Sequence, residues 1–217
     1  MCGRFVSTQG GRQLAAQFGA TQLSGTDLPP NWNVAPTQQV FVVRQSDSER
    51  VLDAMRWGFV PAWAKSLDSG PAPINARVET AEVKPMFKEA VQERRCLIPA
   101  DGFYEWQKRD RGPKQPYFIR RSDGDLIAMA GIWGTWGDIR TCAILTTEPN
   151  TVVAPIHNRM PVVISEDEWA DWLDPNTDLS EVMRPRSCDL VAIPVSTRVN
   201  NPKANGESLI EESAAAQ

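Results

Sequence analysis

The chain has 217 residues, 41% of them apolar, which suits one α/β or mixed domain of ordinary size, or two small ones, with a sizeable core. Lys and Arg number 23 against 27 Asp and Glu, a formal charge of -4, and this excludes a broad basic coat for non-specific nucleic-acid binding. Any nucleic-acid site must be a local arginine patch on an acidic body. There is no secretory signal and no apolar run long enough to span a bilayer. Cys2, Cys96, Cys142 and Cys188 are scattered without a C-x-x-C pair, and there is one histidine. That set suits neither a metal centre nor a disulfide framework, and it points to free thiols in a reducing cytosol.

In chain order, Ser7 to Ala20 reads as a helix capped by Ser7, with Leu14, Ala15 and Phe18 on one face. Gly25 to Asn33 reads as loop. Gln39–Arg44 and Val51–Trp57 read as strands joined by the turn Ser46-Asp47-Ser48-Glu49. Thr80 to Arg94 reads as largely helical, with Met86, Phe87, Ala90 and Val91 as its apolar stripe. Strands follow at Cys96–Pro99, Phe103–Lys108, Tyr117–Arg121, Leu126–Trp133 and Thr141–Thr147, then Pro161–Ile164. Ser165 to Glu168 carries a capping-box signature ahead of a helix with Trp169 and Trp172. Asp189–Val195 is the last strand, and Glu211–Gln217 reads as a disordered tail. The spacing of these strands predicts an antiparallel sheet closing toward a barrel.

Four polar residues carry candidate chemistry. Loss of Met1 would leave Cys2 with a free α-amine and a thiol two carbons apart. An α-amine titrates near 7.7–8.0, so roughly a tenth of it is nucleophilic at pH 7, far more than of a lysine. Such an amine forms a Schiff base with an aldehyde, and the thiol can then close a five-membered thiazolidine. Alternation places Phe103 and Glu105 on one strand face and Tyr104 and Trp106 on the other. If the Phe103 face points inward, burial raises the Glu105 pKa and suits it to acid–base work. His157 is the only side chain with an unperturbed pKa near 7. Asn75 could orient a carbonyl or a sugar oxygen. Arg4, Arg77 and Arg159 could hold phosphates, and exposed aromatics such as Trp63 could stack on unpaired bases. Trp133, Trp169 and Trp172 read as core. Each residue taken singly also has an ordinary reading: a chance second residue, a solvated glutamate, a structural histidine, a turn asparagine, surface arginines.

The set is more specific than its members. Met1-Cys-Gly-Arg-Phe5, Asn33-Val-Ala-Pro36, Trp57 to Trp63, Ile74 to Thr80, Asp101 to Trp106, Pro155 to Pro161 and Pro194 to Asn201 occur in that order. Together they resemble the SRAP family, the SOS response-associated peptidases, also described as abasic-site processing proteins. The resemblance covers residues 2 to about 210. It implies a mixed α+β single domain over residues 2–210 with an antiparallel barrel-like β core flanked by helices, a shallow positive groove for single-stranded DNA, no cofactor, and a monomer acting in the cytoplasm. Cys2 would be the nucleophile, supported by Asn75, Glu105 and His157. Arg4, Arg77 and Arg159 would hold backbone phosphates, with Pro36 and Trp63 near displaced bases. The product would be a thiazolidine link to the ring-opened abasic sugar, with weak lyase chemistry and self-removal of Met1 as side activities. Met160 stands where a second arginine can occur in relatives, which suggests fewer phosphate contacts. The alternative is an N-terminal-nucleophile cysteine peptidase or amidohydrolase.

Overall fold

The structure is a computed structural model that describes residues 2–67, 72–178 and 189–213. Cys188 and residues 214–217 lie outside the described residues. Five strands form a closed ring: β4 (Gln39–Ser46), β5 (Glu49–Trp57), β7 (Arg95–Ala100), β10 (Ile127–Trp136) and β11 (Ile139–Thr147). Around it the pairings are Val42↔Asp53, Val43↔Leu97, Ile98↔Met129 and Ile132↔Ala143, all antiparallel, and Cys142↔Trp57, which is parallel. A ring with an odd number of strands cannot alternate direction throughout. The expected antiparallel core is therefore a mixed barrel with one parallel seam.

Strand alternation divides the ring into two faces. Val42, Met55, Trp57, Cys96, Ile98, Met129, Cys142 and Ile144 meet in one cluster. Phe41, Val43, Leu52, Leu97, Ile132 and Leu145 join the other, together with Leu14, Phe18, Phe87, Val91, Trp169 and Trp172 from the helical segments. Helices cannot fit within five strands, so the first cluster is the barrel interior. The interior is tight: a Cβ on Gly131 would lie 2.9 Å from both Cys96 Sγ and Ile98 Cδ1. Near the turn-side end of β4, Asp53 is buried between Arg44 and Arg140 at 3.2 and 3.0 Å, and Arg44 lies over the Trp133 ring.

A second, wholly antiparallel sheet has the order β13-β9-β8-β1-β3. Its members are β1 (Phe5–Ser7), β3 (Asn31–Val34), β8 (Gly102–Gln107), β9 (Gln115–Arg121) and β13 (Leu190–Pro194). It adds Phe5, Val34, Phe103 and Ile119 to the interior cluster. Its other face packs Val6, Tyr104, Phe118 and Val199 together. The short strand β6 (Asn75–Arg77) runs parallel to β11, through Ile144↔Asn75.

Several expected elements differ. The first helix, α1, spans only Gly11–Gln17, because Phe5 to Ser7 pairs as β1 and Gly10-Gly11 favours a late start. Its intended cap, Ser7, is therefore a strand residue, and Ala20–Gln22 forms β2 beside β5. The presumed loop ends in β3. The helix expected over Thr80 to Arg94 breaks into α2 (Val78–Ala81) and α3 (Lys88–Glu93), since Pro85 lacks the N–H that a continuous helix needs. Phe87, Ala90 and Val91 are buried as the stripe requires. Pro161–Ile164 shrinks to β12 (Met160–Pro161) plus a bridge from Val163 to Met129. Ser165 makes no side-chain cap; its hydroxyl bonds Glu168, and a single turn over Glu166–Glu168 leads into α4 (Trp169–Leu173). Glu212 bridges Val195 and Ser213 bonds Pro194, so the chain stays paired beyond the expected tail boundary at Glu211.

Candidate active site

The segment Cys2 to Arg4 enters β1 between the second sheet and the barrel. Two neighbours fix it through the backbone: the Tyr104 N–H donates to the Arg4 carbonyl at 2.9 Å, and Asn75 Nδ2 donates to the Cys2 carbonyl at 2.8 Å. Asn75 reaches that carbonyl because β6 is held on both sides. Ile144 N–H and Trp57 Nε1 both donate to the Ile74 carbonyl, at 3.0 and 2.9 Å. Trp57 in turn meets Phe5 edge-on at 5.1 Å. Asn75 Oδ1 is buried without a hydrogen-bond partner among the described residues. It is an acceptor placed beside Cys2.

Glu105 lies on β8 opposite Tyr117 and is 2% exposed. Phe103, two residues earlier on the same face, packs with Cys2 and Phe5 in the interior cluster. Tyr104 faces the other way, and its hydroxyl donates to the Trp32 carbonyl. Burial pushes the Glu105 carboxyl above its ordinary range, with positive charge nearby, His157 included, opposing the shift. The Cys2 thiol is pushed upward too, by burial first and then by the Glu105 charge. A buried thiol beside a carboxylate stays protonated near neutrality.

His157 sits in the turn before β12, with its backbone N–H donating to the Val153 carbonyl at 2.9 Å. Its Nδ1 accepts from the Arg159 N–H at 3.1 Å and lies 3.8 Å from Glu105 Oε1. The same nitrogen also lies 3.2 Å from the Arg159 carbonyl oxygen, so it can take a donor or an acceptor role in this turn. Gln107 Nε2, at the end of β8, bonds the Pro155 carbonyl at 3.0 Å and ties this turn to the glutamate strand. Cys2, Asn75, Glu105 and His157 thus come from four separated stretches into one continuous site.

The arginines are less alike than their sequence setting suggests. Arg77 is exposed on β6. Arg4 is partly buried, and its Nη1 donates to Asn33 Oδ1 at 2.9 Å and to the Val199 carbonyl. Arg159 is gripped by both oxygens of Glu79, at 2.6 and 2.9 Å. Met160 is buried on β12, and its sulfur accepts from the Asn150 N–H. The position next to Arg159 in this chain therefore points into the core and is no place for a phosphate ligand. Trp63 is 69% exposed and Pro36 is partly exposed. Trp169 and Trp172 are buried, whereas Trp133 is only partly so.

Two residues that organise the site escape sequence reading. Asn33 Nδ2 reaches the carbonyls of Val199, Asn201 and Ala204 while its Oδ1 holds Arg4. Glu79 lies 80 positions from its partner Arg159, and no spacing rule links such residues. Both sit inside quoted motifs, which was the only signal. Among the described residues, no three His, Cys, Asp or Glu are grouped to hold a metal ion.

The fold agrees with comparisons to known proteins. The model of the family "SOS response associated peptidase (SRAP)" matches residues 1–202, and the chain belongs to that family. It is 39% identical to the abasic site processing protein YoqW of Bacillus subtilis, over 97% of this chain and 99% of that one. It is 32% identical to the abasic site processing protein YedK of Escherichia coli, over 97% and 99%. With the abasic site processing protein HMCES of Gallus gallus it shares 32% identity over 93% of this chain and 74% of the other. A crystal structure of a Bacteroides thetaiotaomicron protein superposes with a TM-score of 0.86 at 24% identity, covering 98% of this chain and all of the other, and so supports the fold.

Proposed function

We propose that this protein captures abasic sites in single-stranded DNA covalently, through the amine and thiol of Cys2 once Met1 is removed. The observation that carries the reading is the contact set at Cys2: a clamped carbonyl, an acceptor beside it, and a buried carboxyl shifted upward. The names of the relatives supply the lesion.

The steps follow from the groups present. Abasic deoxyribose is mostly a closed hemiacetal, and Glu105 transfers the proton that opens it. The Cys2 amine adds to the aldehyde carbon C1′, and the resulting carbinolamine loses water to a Schiff base, with Glu105 as proton donor. Asn75 holds the Cys2 backbone, and its free oxygen faces the amine or a sugar hydroxyl. The thiol then adds across the C=N bond, its proton passes to nitrogen, and a thiazolidine closes. His157 serves proton transfer near the 3′ phosphate. Elimination of that phosphate from the Schiff base is a side route, so weak lyase activity accompanies capture. Arg77, Arg4 and Arg159 track the strand, and Trp63 and Pro36 meet displaced bases. The protein acts as a monomer on DNA in the cytoplasm.

The peptidase reading uses the same Cys2, but it needs a thiolate. Burial and the Glu105 charge both oppose that thiolate. Amine-first chemistry forms its bond to the substrate without a thiolate, and the sulfur enters only at the intramolecular ring closure. The test is a denaturing gel after incubation with a single-stranded oligonucleotide carrying one abasic site. A heat-stable crosslink is expected from the wild type, none from Cys2→Ala, and at most a labile adduct from Cys2→Ser, because oxygen closes the ring poorly. A full-strength crosslink from Cys2→Ala overturns the mechanism.

A further inference from the structure

Among the described residues the Arg159 side chain makes three hydrogen bonds, and all of them are internal. Nη1 and Nη2 each meet one oxygen of Glu79, and Nη2 also donates to the Thr146 carbonyl. The Arg159 side chain is 11% exposed, whereas that of Glu79 is 46% exposed. The forked edge of the guanidinium, which is the edge that grips a phosphate, is therefore covered by a carboxylate that itself faces solvent. Glu79 is the second residue of α2, on the same short segment as the exposed Arg77. The other end of Arg159 is anchored in the site, since its backbone N–H holds His157 Nδ1.

We propose that Glu79 is a specificity-determining residue: its carboxylate occupies the place of a DNA phosphate on Arg159, and a strand must displace it to engage that arginine. The inference rests on the DNA-capture reading given above. The exchange suits the chemistry, since carboxylate and phosphate both offer two oxygens to the fork at like charge. Glu79 keeps its charge at neutral pH, because the hydrogen bond from Arg159 holds its carboxyl below the ordinary range. Every strand, damaged or not, bears the cost of displacing Glu79. Only a strand with an aldehyde is then fixed by a covalent bond. Glu79 thus suppresses occupancy by intact DNA and leaves the captured lesion as the stable product.

The test is fluorescence anisotropy with an undamaged oligothymidylate strand across a salt series. Glu79→Gln should bind on the order of fivefold tighter than wild type. Its plot of log affinity against log salt should be steeper by roughly 0.7, one more phosphate contact. Removal of any acid from the surface weakly favours DNA, so two comparisons isolate the exchange. Glu89→Gln, an exposed acid paired with Arg94, should give neither change. In an Arg159→Ala or Arg159→Lys background, Glu79→Gln should lose most of its gain. Unchanged or weaker binding by Glu79→Gln overturns the proposal, as does an equal gain without Arg159. The wild-type crosslinking assay is read in parallel. A wild type that crosslinks abasic DNA while Glu79→Gln gains nothing sinks the exchange alone. A wild type that neither binds nor crosslinks sinks both readings.

Discussion

Glu105 shows how one residue carries a conflict between stability and chemistry. Its carboxyl titrates above the ordinary range because burial penalises the charge. The folded state then binds a proton more tightly than the unfolded chain does, so stability falls as pH rises from the ordinary carboxylate value through the raised one. Glu105→Gln has no charge to bury. It should melt at a higher temperature than wild type at neutral pH, with the difference closing as pH drops to about 4. The same substitution removes the proton donor, so crosslinking to a pre-formed abasic strand should slow by roughly 10²–10⁴-fold. Wild type should show a falling rate at high pH as Glu105 ionises, and the variant should lack that limb. Equal rates and parallel pH profiles in a gel time course would demote Glu105 to a structural residue and leave His157 as the acid–base group.

At the level of elements, the site depends on how closely β8 can lie against β9. Gly102 opens β8, and a Cβ there would stand 2.5 Å from both the Ile119 carbonyl oxygen and Phe118 Cε2. One obstacle is backbone and cannot swing aside. Gly102→Ala should therefore cost at least about 1–3 kcal/mol, read as a lower denaturation midpoint. Because Gly102 also pairs with Val6 on β1, the strain falls on the strand that Cys2 leads into and on the strand that carries Glu105. Crosslinking should suffer beyond the loss of folded protein. Gly10 is a useful contrast: nothing lies near its missing Cβ, and its φ of -73° suits any residue. A Gly102→Ala variant as stable as wild type would show that the strand spacing is not set by this contact.

For the whole molecule, the acidic body limits how DNA is held. A formal charge of -4 leaves only local attraction. Of the three candidate arginines, Arg77 is exposed, Arg4 is tied to Asn33, and Arg159 is tied to Glu79. The slope of log affinity against log salt for intact single strands should then be shallow, about -0.7 for each phosphate contact and no steeper than about -2 with all three engaged. Titration at several salt concentrations measures it. A slope near zero would remove the phosphate-tracking groove, and a much steeper one would require basic contacts beyond these three. No helix among the described residues is long and apolar enough to cross a membrane.

The sequence by itself determined what depends on local pattern. Alternating apolar residues fixed the strands of the barrel and the direction of Phe103 and Glu105, since a strand has only two faces. The ordered motifs pointed to the family and to the four polar residues, because those segments are contiguous in sequence. Local pattern failed where a distant partner decided the outcome. Phe5 to Ser7 is a strand because β8 and β3 flank it, and Asn31–Val34 is a strand because β1 does. The parallel seam between β5 and β11 follows from closing five strands into a ring, a constraint no single segment carries. The same holds in the site. That Cys2 meets Asn75, that Glu105 is buried, and that Arg159 is already occupied by Glu79 are consequences of contacts between residues about 50 to 80 or more positions apart. Such pairs are chosen by packing, and only the tertiary structure brings them together.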